Sequence, residues 1–480
     1  MNGKRWILPG LGIILLILFS ILPPMAPITP RGMKVIGTFL FTVTWWVSFG
    51  TGFPSLLCLA ILAITSVMTP KEVFAVSWGN YLVMFVIGAL GLIESLRATG
   101  FANRFAFWFM SRPFNEGRPW VMLSVFFLAN CLTGAFMESS AVCLIFFAIA
   151  EPMLIALGCE KGDKLGATVI MGIGWVSIAA MIMTPIGHGS NLVLLDWIQR
   201  DFNYRVGFPQ WFAIGFPTGV MYTLIIIAYF RFVVRPDVSR FGGAFEYVRQ
   251  ERIKLGTIKL EEKIALSAFL IVAVFWLLPD LGRELVPELS SYVSTLTYAV
   301  PPLIGAGLLC AIRVKKQPLL TFRSWMAAVP WATVALIGAI QALRGPLEDP
   351  ATGIPTLLNN VFTPLLARVP LMVFLLIGIL WTVFQTQFMS NFVTVTLTYT
   401  AMMPAIIAAK AGNPMAIAFT LWFAARAAVA TPSATSSVAL AAGSGWVPVG
   451  FLMKWGFLLV IPFTLFYTFI VYPMATLIFR

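Results

Sequence analysis

The residues best placed to do chemistry lie in the stretch Gly134-Ala135-Phe136-Met137-Glu138-Ser139-Ser140, in the middle of an apolar run from Trp120 to Gly158. A carboxylate and two hydroxyls sit where the flanking sequence calls for hydrocarbon. Ionisable groups at membrane depth are costly, so Glu138 marks a binding site or a pathway by default. A second stretch half a chain later, Thr386-Gln387-Phe388-Met389-Ser390-Asn391-Phe392, has the same character. Neutral oxygens and one carboxylate suit Na⁺ and the oxygens of a small anion. They suit covalent chemistry poorly, because no base lies nearby in sequence. With His188 as the single histidine, a nucleophile–base pair or a multi-histidine metal centre has little to build on, and no enzyme activity is expected.

The elements that position these groups must be membrane helices. Of 480 residues, 59% are hydrophobic and 11% charged, against roughly 25% charged in soluble domains. Repeated apolar runs of about 20 residues are helical spans, not barrel strands. The net charge of +13 reflects basic residues in short loops, as the positive-inside bias requires, and not a nucleic-acid footprint. Cys58, Cys131, Cys143, Cys159 and Cys310 show no metal spacing and read as packing residues. Lys4 and Arg5 precede the apolar run Trp6–Leu22, and Pro23-Pro24 stands where a cleavage site would need small residues. That pattern predicts a retained first helix with a cytoplasmic N-terminus, in a cytoplasmic-membrane protein.

Further spans are predicted at 35–50, 55–68, 81–95 and 211–230. Residues 101–118, with three arginines among six aromatics, suit a helix lying in the interface. The run 119–158 is too long for one span and has basic flanks on both sides, which predicts a hairpin with a polar tip. A tip that stops within the membrane is tolerated only where it lines a cavity. Thr184-Pro185-Ile186-Gly187-His188-Gly189 breaks a helix that resumes near Leu192. Residues 236–262 are a basic cytoplasmic linker.

The second half repeats the first. Ser324-Trp325 echoes Ser77-Trp78, Ile337-Gly338-Ala339 echoes Ile87-Gly88-Ala89, and the run from Pro370 to Asn391 echoes Pro119 to Ser139. Ala430-Thr431-Pro432-Ser433 falls where Gly187-His188-Gly189-Ser190 falls, each match at an offset of about 243–252 residues. Four matches in one order divide the chain into a first repeat (1–235, hairpin 119–158), the linker 236–262 and a second repeat (263–480, hairpin 370–409). Interrupted hydrophobic segments at corresponding places in two halves point to a secondary transporter. The expected fold is an all-α polytopic membrane protein, with about 11 transmembrane helices plus two re-entrant hairpins in two inverted repeats.

In these residues the chain resembles the divalent anion/sodium symporter family of the ion transporter superfamily, which carries a Ser-Asn-Thr tip in each hairpin and a Thr-Pro-containing break in each half. The resemblance covers nearly the whole chain in order and spacing. It implies Na⁺-coupled symport of a small anion (a di- or tricarboxylate, sulfate or sulfonate) by an elevator-type movement, in a homodimer, with no cofactor beyond the coupling ion. Carried over by position, cation ligands fall at Glu138, Ser139, Gly187 and Asn191 and at Thr386, Met389, Asn391 and Ala430. Substrate contacts fall at Ser139, Ser140, Ser390, Asn391, Phe392, Thr431 and Pro432, between the two tips.

The departures from that pattern are as informative as the match. Glu138 stands where the family has a neutral residue, and the family's upstream serine falls at Gly134. Glu138 either binds Na⁺ through its carboxylate or carries a proton. His188 replaces a threonine and either titrates or braces the break. Phe392 replaces a hydroxyl with an aromatic wall. Arg426, inside an apolar helix, pairs with Glu138, clamps the substrate anion or snorkels to an interface. An H⁺-coupled anion transporter and a cation/proton antiporter on the same fold are the competing readings.

Overall fold

Helix follows helix along the described residues, and several starts are set by local chemistry. Thr29 accepts a hydrogen bond from Gly32 N, and Pro30 opens Pro30–Phe49, where a missing N–H costs nothing. Thr69 and Glu72 form a reciprocal capping box on Pro70–Val76, and Asn413 caps Pro414–Ala424 by accepting from Ala416 N at 3.0 Å. The structure, a computed structural model, describes residues 6–479, without the side chains of 362, 363 and 365–367. Lys4 and Arg5, on which the N-terminal orientation rests, lie outside the described residues.

The chain is an all-α polytopic membrane protein. Among the described residues the only strands are the two-residue pair Arg313–Val314 and Gln317–Pro318. Among the described residues seven helices are long and apolar enough to cross a membrane, or up to nine if each of two bent pairs is one span, and further apolar helices are shorter. The expected first helix is Ile7–Ile21. Both hairpins are present, with arms Pro119–Gly134 and Ser139–Ala156 in the first repeat and Leu371–Gln385 and Asn391–Ala408 in the second.

The helices pack into two units, each drawn from both halves of the chain. One, called here the Glu138 unit, comprises residues 84–329 and 426–459; the other, the Thr386 unit, comprises residues up to 83, 330–425 and 460 onward. Each unit is built around one helix buried on every face. In the Glu138 unit every residue from Leu165 to Ala180 is buried, and both arms of the first hairpin pack on this helix. In the Thr386 unit the same holds from Ala416 to Ala424, which both arms of the second hairpin contact. A helix apolar all round is stable only when neighbours cover all its faces, so hairpin and core helix form together.

Three local expectations need correction. The interfacial helix is Phe101–Met110, not 101–118: Pro113 follows, and Arg112 before it is extended, with ψ 138°, as a residue preceding proline prefers. After the first break the helix resumes at Gly189, not Leu192, because His188 caps it by accepting from Ser190 N. Arg426 is not inside a helix, since Pro414–Ala424 ends at the cap residue Ala425. The basic linker is also more ordered than its composition suggests. It contains the helix Ala244–Lys254, and Arg240 reaches the Gly158 carbonyl at 3.0 Å. Arg104 fastens its end, bonding the carbonyls of Leu255, Gly256 and Thr257 and the Glu262 carboxylate.

Candidate functional site

In the Glu138 unit, the first arm ends at Gly134 because the next residues must turn against the core helix. A Cβ on Gly134 would lie 2.7 Å from the Ala180 Cβ and 3.1 Å from Val142 Cγ1. The serine of the family pattern therefore has no room here. Glu138 is the extended cap residue of Ser139–Ala156, and its carboxylate Oε2 lies 3.6 Å from His188 Nε2. Its side chain is 17% exposed, which rules out an exposed turn.

The break lies directly beneath this tip. Thr184 Oγ1 donates to the Ala135 carbonyl at 2.5 Å, tying hairpin to break. Asn191 Nδ2 donates to the carbonyls of Met181 at 2.7 Å and Thr184 at 3.0 Å, holding open ends of the interrupted helix. Gly187 is favoured by closeness: a Cβ there would be 3.0 Å from both Ala135 O and Met181 O, tighter than most side chains pack. Asn191 Oδ1 and Ser139 Oγ are buried without a well-formed hydrogen bond among the described residues. Buried oxygens are ordinarily satisfied, so these two, with the neighbouring carbonyls, fit a small cation.

Arg426 joins this cluster. It is 1% exposed, so it does not snorkel, and its Nη2 donates to Ser190 Oγ. Ser190 Oγ in turn lies 2.6 Å from His188 Nδ1. The chain of contacts thus runs Arg426–Ser190–His188–Glu138.

In the Thr386 unit the tip carries no ionisable side chain between Thr386 and Phe392. Thr386 Oγ1 lies 2.7 Å from the Ala425 carbonyl and 3.0 Å from Asn391 Oδ1. The single hydroxyl proton goes to the nearer Ala425 carbonyl, which ties the end of this arm to the end of the core helix, while Asn391 Oδ1 packs against the same hydroxyl. Gln385 Nε2 lies 3.4 Å from Met389 Sδ, and Gln385 Oε1 is buried without a partner among the described residues. The main-chain and side-chain oxygens at this tip suit a cation with few charged ligands.

The remaining expected residues fall as follows. Ser140 and Pro432 are half-buried, and Thr431 is buried with its hydroxyl 2.9 Å from Ser433 Oγ. Ala430 is fully buried in the Glu138 unit, whereas Thr386, Met389 and Asn391 belong to the Thr386 unit. Ser390 and Met389 are half-buried at the tip. Phe392 is 2% exposed and packs edge-to-face on Trp422 at 6.2 Å, so its ring belongs to the packing of its own unit. Sequence reasoning gave no role to Thr184 or Ser190. Thr184 carries a local signal, a hydroxyl before the helix-breaking Pro185; Ser190 carries none, since its partner Arg426 is 236 residues away.

Comparisons with known proteins agree with this architecture. A family model described as citrate transporter matches residues 39–427. A sodium-dependent dicarboxylate transporter, SdcS, of Staphylococcus saprophyticus is 24% identical over 465 residues, spanning 93% of this chain and 87% of the relative. Its namesake in Staphylococcus aureus strain USA300 is 22% identical over 448 residues, spanning 89% and 83%. Among solved structures, the YdaH transporter of Alcanivorax borkumensis, described as having an unusual topology, is similar in fold. The TM-score is 0.53 at 12% identity, covering 91% of this chain and 98% of that one.

Proposed function

Since this chain belongs to the citrate transporter family, and with it to the divalent anion/sodium symporters, we propose that this secondary transporter couples sodium to a small di- or tricarboxylate. The observation that carries this reading is the same construction in both units. In each, a hydroxyl bridges a hairpin tip to the end of the buried core helix, beside oxygens fit for a cation. The relatives named sodium-dependent dicarboxylate transporters supply the coupling ion and substrate class.

In this reading one oxygen cluster comprises Glu138, Ser139, Gly187 and Asn191, and the other Thr386, Asn391 and the Met389 main chain. Ser140, Thr431 and Pro432 are the proposed anion contacts in the Glu138 unit, and Ser390 is the one proposed in the Thr386 unit. An elevator-type movement, a homodimer and residence in the cytoplasmic membrane are parts of the same proposal. A second reading, proton coupling, draws on the Glu138–His188 contact; uptake driven by a pH gradient without sodium would favour it.

A thermal-shift screen on the purified protein tests the primary reading, with succinate, citrate, sulfate and a sulfonate, each in sodium and in choline buffer. Ligand at roughly 100 times its Kd adds about 2.7 kcal/mol of stability. Sodium-dependent stabilisation by a carboxylate is the expected result. If no anion stabilises the protein in either buffer, the reading fails.

A further inference from the structure

The two tips differ in charge, and the difference has a direct consequence for the coupling ion. At the Thr386 tip every side chain from Thr386 to Phe392 is neutral. At the Glu138 tip the protein carries both signs itself. The two residues that depart most from a neutral tip, Glu138 and Arg426, are 288 positions apart in sequence yet belong to one cluster.

The hydrogen-bond directions in that cluster run one way. Ser190 N donates to His188 Nδ1 at 3.2 Å, which makes Nδ1 an acceptor. Ser190 Oγ accepts from the Arg426 guanidinium and so has its own proton free for Nδ1, 2.6 Å away. With Nδ1 accepting, the ring proton belongs on Nε2, which faces the Glu138 carboxylate at 3.6 Å. The donor-to-acceptor sense of these contacts runs from guanidinium towards carboxylate, the last of them, at 3.6 Å, being an electrostatic approach longer than a hydrogen bond. An imidazolium would set an Nδ1–H against the Ser190 N–H, so the arrangement fits a neutral His188. A neutral imidazole and a hydroxyl between opposite charges transmit the attraction without adding net charge.

We propose that Arg426 is a built-in counter-cation for the Glu138 tip: the guanidinium, acting through Ser190 and His188, takes the place of a coupling sodium ion there, so that one sodium, at the Thr386 tip, accompanies the anion. This rests on the sodium-coupled reading above and specifies which cluster sodium fills. With the guanidinium in the same cluster as the Glu138 carboxylate, a second cation beside that carboxylate would meet the guanidinium's repulsion. Coupling with a tethered cation also means that the charge moved per anion is one lower than two sodium sites would give.

Direct ²²Na⁺ binding to the purified full-length protein tests this without requiring the substrate to be known. Wild type is expected to bind one sodium per chain. Arg426→Ala leaves Glu138 without its counter-charge, and its count should double; added guanidinium chloride should return it to one. Arg426→Lys and Glu138→Gln should each stay at one. Two sodium ions bound to wild type, or a count unchanged in a folded Arg426→Ala, would overturn the proposal while leaving sodium coupling intact. No sodium bound to wild type would remove the sodium reading itself, and this proposal with it. The wild-type count decides the matter even if Arg426→Ala does not fold.

Discussion

At the Glu138 tip the hydroxyl that ties hairpin to broken helix comes from the break, with Thr184 donating to the Ala135 carbonyl. At the Thr386 tip it comes from the hairpin, with Thr386 donating to the Ala425 carbonyl. Ala135 and Thr386 both follow the last helical residue of the first arm, and Ala425 follows the last residue of the core helix. A hydroxyl-to-carbonyl crosslink between hairpin tip and the segment after the core helix is therefore made in both units, with the donor on opposite sides of it. A tip whose backbone is stripped of helical partners must be fixed to something rigid, and either direction of one hydrogen bond achieves it. What the two tips do not share is charge. One is neutral throughout, and the other holds Glu138, His188 and Arg426 in a single relay.

The sharpest way to break this comparison is to make the charged tip neutral on one side only. Glu138→Ala leaves the buried Arg426 guanidinium without the carboxylate at the far end of its relay. Removing one partner of a buried charge pair typically costs 3–5 kcal/mol; with a hydroxyl and an imidazole interposed, about 3 kcal/mol is expected. This should be the largest drop in thermal stability of any single substitution at either tip. A Glu138→Ala protein that melts with wild type would show that Arg426 is balanced elsewhere.

Thr386→Val should come next. It keeps the side-chain shape but leaves the Ala425 carbonyl without its donor and removes the hydroxyl against which Asn391 Oδ1 packs. A buried acceptor deprived of its donor costs about 1–3 kcal/mol, so roughly 2 kcal/mol of stability should be lost. The functional effect should be larger than the structural one, because Asn391 is then free to rotate away from the cation. The sodium concentration that half-saturates anion-dependent stabilisation should rise about tenfold, equivalent to ~1.4 kcal/mol.

Gly134→Ser would restore the neutral hydroxyl of the family pattern at the charged tip, and it separates shape from chemistry. The added Cβ meets the Ala180 Cβ at 2.7 Å, and overpacking of this kind costs about 1–3 kcal/mol. The substitution should lower the melting temperature without raising the bound-sodium count. A gain of one sodium without loss of stability would mean that the tip has room for an ordinary ion site.

Hairpins, breaks and repeat were legible in the sequence because each is a local event: a polar midpoint in an overlong apolar run, a Thr-Pro or Gly cluster, a recurrence at fixed offset. The arms Pro119–Gly134 and Leu371–Gln385 end close to where the pattern placed them. Glu138 and Arg426 stood out for the same reason, as charges in hydrocarbon. Their connection did not, because Ser190 and His188, which carry it, are contributed by a break far from both in sequence and look like ordinary turn residues. Nor did residue order reveal that the packed units interleave the two halves, since which helix covers a buried core helix is decided by faces, not by succession. At a polar tip an aromatic such as Phe392 reads as a ligand wall, and residue order gave no sign that its ring packs on Trp422.

The mildest substitution bears most closely on the exchanged crosslink. Thr184→Val removes the donor to Ala135 O just as Thr386→Val removes the donor to Ala425 O, so on hydrogen bonding alone the two should behave alike. They should not, because the Thr386 hydroxyl also packs against Asn391 Oδ1, whereas the carboxamide of Asn191 is held by the carbonyls of Met181 and Thr184, which the substitution leaves in place. About 1 kcal/mol of stability should be lost in Thr184→Val, with the half-saturating sodium concentration unchanged within about twofold, or ~0.4 kcal/mol. Thr184→Ser, which keeps the donor, should match wild type in both. If Thr184→Val weakens the sodium response as strongly as Thr386→Val does, then the two tips share the work of cation binding equally, and the charge relay at Glu138 does not set them apart.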